Sequence, residues 1–425
     1  MKIGILGGGL SGVSLSYLLD RPTEILEKEE ECGGLCRSFE KQGITYDLGG
    51  HIIFSKDKEA MDLMLRILKG NVKKHYRNNK IWYKNRFIKY PFENGLNALD
   101  KEEIFECLYY YLENDYPKPR NLAEWSYYTF GKGIAQKYLE PYNKKIWKYR
   151  LEKIGLDWVE RIPKPPTEDI IKSAIGINTE GYLHQLYFYY PKRGGIQSLI
   201  KAFEDKACNI TKNFSVRTLK KIADKWIVSD GRREKVFDRI ISTMPIFDLI
   251  NSLSAVPLKV RSAVSNLRYN SLAIVMLGIK GEVLLDKFAT YFPQKEVIFH
   301  RVCFNKYLGS NYTPKGKTSI VAEITFRSQD RIAKTSDASL IKQVIMQLDK
   351  EGFIDKNLIF TNDIKRIKYA YVIHDIDYAK KINIIHSYAK SLGIELCGRF
   401  SEFSYLNMDQ CIRHAINLSH KFRKI

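Results

Sequence analysis

The first 27 residues constrain the fold more than any other stretch of the chain. Lys2–Leu6 (KIGIL) is a short apolar run suited to a fully buried parallel strand. Gly7-Gly8-Gly9-Leu10-Ser11-Gly12 follows as G-x-G-x-x-G, and helical spacing then runs through Val13–Leu19. A second strand fits Thr23–Leu26 and ends at Glu27. Each part has a mechanical task. Gly7 permits the tight turn, Gly9 lets backbone approach a pyrophosphate, and Gly12 lets the helix pack on the strand. The helix start at Leu10 and Ser11 offers N–H groups and a partial positive charge to phosphates. Glu27, 20 residues after Gly7, is placed to accept from ribose hydroxyls. The alternative is a glycine-rich turn that binds nothing. The strand–turn–helix–strand setting and the spacing of the acid favour a dinucleotide and a Rossmann-like α/β domain.

Composition narrows the class. A chain of 425 residues predicts two or three domains and a large core. Hydrophobic residues at 44% and charged residues at 28% exclude a disordered or low-complexity chain. No uninterrupted apolar run reaches about 18 residues, which excludes a spanning helix. Met1, Lys2 and the small residues after them look like a secretory leader, but five glycines and the lack of a small-residue cleavage site argue against one. Seven cysteines without pattern fit a reducing compartment, so the expected location is cytoplasmic. Cys32 and Cys36 read as ordinary thiols, with no second pair to complete a metal site. Lys+Arg (69) minus Asp+Glu (48) gives +21, which favours anionic partners. The basic residues are scattered and no nucleic-acid motif is present, so a small anionic ligand is favoured over nucleic acid.

FAD and NAD share the N-terminal turn, and the residues after it separate them. Gly33-Gly34-Leu35, then Cys36-Arg37-Ser38, resembles the second glycine pair of glutathione-reductase-like FAD proteins, especially the amine oxidase and protoporphyrinogen oxidase group. Gly49–Ser55 (GGHIIFS) is more specific. It resembles the turn of the UDP-galactopyranose mutases, particularly their eukaryotic-like branch. Further blocks resemble that family in the same order: Lys89–Asn94 (KYPFEN), Glu124-Trp125, Gly131–Ala135 (GKGIA), Pro141–Trp147 (PYNKKIW) and Trp158–Pro163 (WVERIP). Tyr190–Gly195 (YPKRGG), Ser242–Pro245 (STMP), Gly398-Arg399-Phe400, Tyr405 and Asn407-Met408-Asp409 complete the series.

The resemblance implies an FAD isomerase that interconverts pyranose and furanose forms of a nucleotide sugar of the UDP-galactose type, for cell-surface polysaccharide biosynthesis. Reduced flavin N5 attacks the anomeric carbon and displaces UDP. The ring opens on the flavin–sugar adduct and recloses on another hydroxyl, without net redox change. NAD(P)H is the expected transient reductant. FAD contacts fall on Gly7, Gly9, Leu10, Ser11, Gly12 and Glu27, on Gly34, Leu35, Gly50 and His51, and on Arg399, Asn407 and Met408. His51 is placed at the isoalloxazine, with a simple turn-capping histidine as the alternative. Arg161 and Arg301 match the phosphate clamp, and a buried ion pair is the alternative for each. Tyr291, Tyr307, Tyr371 and Tyr405 match phosphate or sugar-lining positions, with Tyr312 competing with Tyr307. Tyr90, Phe92, Asn143 and Trp147 match the nucleotide-proximal region, although plain packing also accounts for Phe92 and Trp147.

Three positions depart from the family. Glu93 stands where Gln is usual, and a carboxylate cannot donate a hydrogen bond as an amide does. Gln185 replaces an expected Asn in a sugar-contacting loop, and Val372 follows Tyr371 where Pro is common. The implied architecture is α/β, with a discontinuous FAD-binding domain (1–75, 192–255, 390–425), a helical insertion (95–160) and an antiparallel-sheet substrate domain (76–94, 161–191, 256–389). Helical spacing covers Lys101–Glu113 and Gly133–Leu139, and strands fit Ser271–Lys280 and Thr318–Thr325. A homo-oligomer is left open. The competing reading is an oxidoreductase of the amine oxidase or protoporphyrinogen oxidase type, and a non-catalytic flavin-binding protein is a third class.

Overall fold

The computed structural model describes residues 1–180, 186–207, 209–281 and 286–423. A five-stranded parallel sheet forms first around the N-terminal unit. Its order is Glu395–Leu396, Arg239–Ser242, Ile3–Leu6, Thr23–Leu26 and Asn209–Thr211. The central strand is buried along its whole length, which is why it reads as a continuous apolar run. Strands from residues 3–26, 209–242 and 395–396 meet in this one sheet, so the dinucleotide unit is assembled from three distant segments. Helix Leu10–Leu18 covers one face and packs along the C-terminal helix Met408–Arg423.

A second sheet has seven strands, ordered Ile359–Ile373, Arg268–Lys280, Lys317–Phe326, Arg301–Phe304, Ala289–Tyr291, Asn79–Tyr83 and Arg86–Lys89. Its strands are antiparallel except for the pair Ala289–Tyr291 and Asn79–Tyr83, which runs parallel. A purely antiparallel sheet, as expected from the alternation, is therefore corrected at that pair. Residues 79–83 form a hairpin with 86–89, but they meet 289–291 from far upstream in the chain, so hairpin logic does not set the direction of that pairing.

The helical region lies between those contributions. Helix Lys101–Leu112 packs on Leu122–Ile134. Gly131 and Gly133 permit the approach, because a Cβ at Gly131 would collide with Tyr110 O and one at Gly133 would lie 2.7 Å from Cys107 Cα. The spacing over 133–139 is helical but not uniformly α: the chain passes through a π turn at Ala135–Leu139 before helix Glu140–Trp147. No helix among the described residues is long and apolar enough to cross a membrane. No group of three or more His, Cys, Asp or Glu side chains among them is placed to hold a metal ion.

Candidate active site

The glycine turn has the three properties that a bound pyrophosphate needs. Gly7 adopts φ +114°, which disfavours any other residue there. A Cβ at Gly12 would collide with Gly7 O, so only glycine lets the helix start this close to the strand. Gly9 is different: a Cβ there meets nothing within 4 Å. The backbone at Gly9 is thus open to a ligand, while its neighbours lock the turn. The second glycine pair lies against the first, with Gly33 N–H donating to Gly8 O at 2.8 Å and Gly34 (φ +55°) beside Gly9. Ser11 and Leu10 are buried at the helix start, and Leu35 is partly buried. Glu27 is buried and already accepts from Gly8 N–H (2.6 Å) and Glu29 N–H (2.9 Å). It braces the loop as well as standing at the end of the second strand.

The GGH turn lies beside the large sheet. Gly50 N–H donates to Glu323 Oε1 at 3.1 Å, and His51 N–H closes the turn onto Gly49 O at 2.8 Å. Burial, then the nearby Arg399 and Arg301 cations, pull the His51 imidazole down to about 4. His51 is therefore neutral at physiological pH, and its Nδ1 is buried without a protein partner. Arg399 holds two backbone carbonyls, Leu406 O and Ala370 O, each at 2.8 Å, while its Nε is buried without one.

Sheet register assembles the next row. Tyr291, Arg301 and Glu323 are directly opposite one another on three adjacent strands. Arg301 binds the fully buried Glu323 in a fork, Nε to Oε1 at 2.9 Å and Nη2 to Oε2 at 2.8 Å. The ion pair that the sequence left as the alternative for Arg301 is thus present, and Nη1 makes no hydrogen bond among the described residues. Burial opposes the Arg301 charge, but the Glu323 carboxylate overrides it and holds the guanidinium charged. Arg161 approaches from the turn after Trp158. It donates to Asn407 Oδ1 at 3.2 Å and to Gln410, and lies 4.7 Å from the Tyr405 ring centre. Arg399 lies 4.3 Å from the same ring, and Tyr371 stacks on Tyr405 at 6.1 Å. Asn407 and Met408 open the final helix beside Arg161.

Several expected residues are committed to structure. Phe92 is wholly buried between Tyr83 and Tyr138, so it is core packing. Asn143 donates to Leu139 O and accepts from Trp147 Nε1 at 3.0 Å. It therefore orients Trp147, whose ring meets Tyr405 and Trp158. Tyr291 accepts from Asn79 Nδ2 at 3.3 Å and packs between Tyr90 and Tyr142. Tyr312 is fully buried and donates to Pro191 O, which removes it from competition for a ligand. Tyr307 packs on His75 and Phe288 and donates to Tyr76 O at 2.7 Å. Gln185 lies outside the described residues. Glu93 is 2% exposed, and burial pushes its carboxyl up to about 8, opposed only by its own backbone N–H. At neutral pH it is a protonated acid that both donates and accepts, which removes the chemical objection to it in place of an amide.

Two residues were missed from the sequence. Glu323 is invisible as a site residue because its partner lies on a neighbouring strand, 22 positions away. Lys145 is buried, donates to Phe292 O and Gln294 O at 2.8 Å each, and is pulled down to about 6 by burial. It fixes the loop that follows Tyr291.

Comparisons with known proteins bear on the fold. Residues 5–67 match the model of the NAD(P)-binding Rossmann-like domain, and residues 161–355 match that of the flavin containing amine oxidoreductases. A crystal structure of reduced UDP-galactopyranose mutase superposes with a TM-score of 0.90 at 24% identity, covering 100% of this chain and 95% of that one. A protein provisionally named protoporphyrinogen oxidase, from Exiguobacterium sp. 255-15, follows at TM-score 0.79 and 16% identity, over 100% and 98% of the two chains. The chain has the fold of these proteins. Among curated sequences, an uncharacterized protein in the nifH2 3' region of Methanothermococcus thermolithotrophicus is 43% identical over 56 residues. That match spans 12% of this chain and 54% of the relative's length.

Proposed function

We propose that this protein is an FAD-dependent mutase that interconverts the pyranose and furanose forms of a nucleotide sugar of the UDP-galactose type, without net redox change. The observation that carries this reading is the cluster of three arginines, Arg161, Arg301 and Arg399, around Tyr371, Tyr405 and the GGH turn. The carboxylate in their midst, Glu323, is already engaged by Arg301. A site of this charge suits a diphosphate and repels an amine.

The residues present fit an FAD. The open backbone at Gly9 and the helix start at Leu10 suit its pyrophosphate, and the orphaned His51 Nδ1 and Arg399 Nε suit its polar ring edge. When bound and reduced, the flavin supplies a nucleophilic N5, and that chemistry is the cofactor's own. NAD(P)H is the proposed reductant. The chain's own residues hold the reactants. Arg161 and Arg301 take the pyrophosphate and stabilise charge on the departing UDP. Neutral His51 presents a ring without adding a cation beside the flavin. Tyr371, Tyr405 and Trp147 wall the sugar and exclude water. A cytoplasmic location and a cell-surface glycan product belong to the same proposal.

The match of residues 161–355 to the flavin containing amine oxidoreductases favours one second reading, an oxidase of amine or porphyrinogen type. Titration separates them. UDP added to the holoprotein should quench tyrosine and tryptophan fluorescence saturably, whereas amines should neither bind nor drive oxygen consumption. Amine-dependent oxygen uptake with no response to UDP would reverse the order of the two readings.

A further inference from the structure

Glu323 sits in the middle of strand Lys317–Phe326 and is fully buried. Three donors converge on its two oxygens. Gly50 N–H and Arg301 Nε share Oε1, at 3.1 and 2.9 Å, and Arg301 Nη2 binds Oε2 at 2.8 Å. Cys303 Sγ lies 3.8 Å from Oε1 and His300 Nε2 lies 3.6 Å from Oε2. Burial and the adjacent Arg301 keep His300 well below its ordinary value, so it is neutral and does not compete for the carboxylate. The turn also rests directly on this pair: a Cβ at Gly50 would lie 3.4 Å from the Arg301 guanidinium carbon and 3.3 Å from Cys303 Sγ. One carboxylate thus joins the guanidinium assigned to the substrate phosphates to the backbone of the turn that carries His51.

We infer that Glu323 is a positioning residue through which anion binding at Arg301 is transmitted to the flavin-facing Gly50-His51 turn. An anion at Arg301 competes with Glu323 for the same guanidinium. As Arg301 shifts toward the anion, the carboxylate loses part of its fork and is left with the Gly50 N–H. The turn then moves or stiffens, and the His51 ring moves with it. Linkage makes the effect reciprocal, so the state of the flavin also changes anion affinity. This rests on the proposed function for the identity of the two ligands, but the link itself follows from the contacts of Glu323.

The test is Glu323→Gln in the holoprotein. Glutamine keeps an acceptor for Gly50 N–H but turns an amide donor on Arg301, which uncouples the two sides. UDP is titrated while intrinsic fluorescence reads binding and flavin absorbance reads the turn. Wild type should show both changes with one midpoint. The variant, relieved of the competing carboxylate, should bind UDP at least as tightly as wild type and show no flavin difference spectrum at saturation. Weaker UDP binding, or a difference spectrum equal to that of wild type, would overturn the proposal.

If the single variant does not fold, Glu323→Gln/Arg301→Gln restores a neutral pair. The double variant should match Arg301→Gln alone in both readouts, whereas any further change beyond Arg301→Gln would show that Glu323 acts independently and overturn the proposal. If wild type itself ignores UDP, the nucleotide-sugar reading fails. The link is then read with inorganic pyrophosphate, and identical flavin responses in wild type and Glu323→Gln would overturn it.

Discussion

Glu93 shows how burial changes what a residue can do. Its carboxyl is raised from an ordinary 4.5 to about 8. Between those values the folded chain holds a proton that the unfolded chain has released. Its stability is therefore full below about pH 4.5 and is lost as pH rises toward about 8. Glu93→Gln removes this loss, so the variant should be more stable than wild type near pH 8, by about 2–4 kcal/mol, with the gap closing toward pH 5. Thermal unfolding at a series of pH values measures it, and parallel curves for the two proteins would contradict the neutral-acid account. From the sequence, Glu93 reads as a charge, because burial is a property of the fold. Arg161 and Arg399 were legible as site residues through their motif blocks. Their shared contact with Tyr405 was not, since it brings Arg161 to a ring and an arginine more than 200 residues away in the chain.

Local elements were the most legible part of the fold. The strands Ile3–Leu6 and Thr23–Leu26 lie where the sequence places them, the first because a buried parallel strand favours an unbroken apolar run. The two-residue edge strand Glu395–Leu396 has no such signal, and neither does the parallel pairing of Ala289–Tyr291 with Asn79–Tyr83. Both depend on tertiary placement. The glycine turn yields a sharper test, since its glycines do different work. Gly12→Ala forces a Cβ onto Gly7 O and should cost about 3 kcal/mol or more of stability, or prevent folding. Gly9→Ala meets open space at φ −71°, so the apoprotein should unfold within about 0.5 kcal/mol of wild type while losing flavin on purification. Chemical denaturation of the apoprotein with flavin content measured alongside distinguishes them. Equal destabilisation by both substitutions would deny Gly9 its place at the pyrophosphate.

The whole molecule carries +21, and at the proposed site the charge is concentrated rather than scattered. A field of this sign steers a dianionic nucleotide and is screened by salt. The association rate of UDP should therefore fall several-fold as ionic strength rises from about 0.01 to about 0.15 M, where the Debye length shrinks from about 30 to about 8 Å. Stopped-flow fluorescence quenching reads this directly, and a salt-independent rate would place the ligand away from the arginines.

The central claim is an isomerisation that needs a reduced flavin yet consumes no electrons. The direct measurement is to incubate purified holoprotein anaerobically with UDP-galactofuranose, with the flavin either oxidised or reduced by dithionite, and to follow products by HPLC. UDP-galactopyranose should form over many turnovers with reduced flavin and not with oxidised flavin, while the flavin stays reduced. No conversion in either state, or conversion in step with flavin reoxidation, would contradict the account.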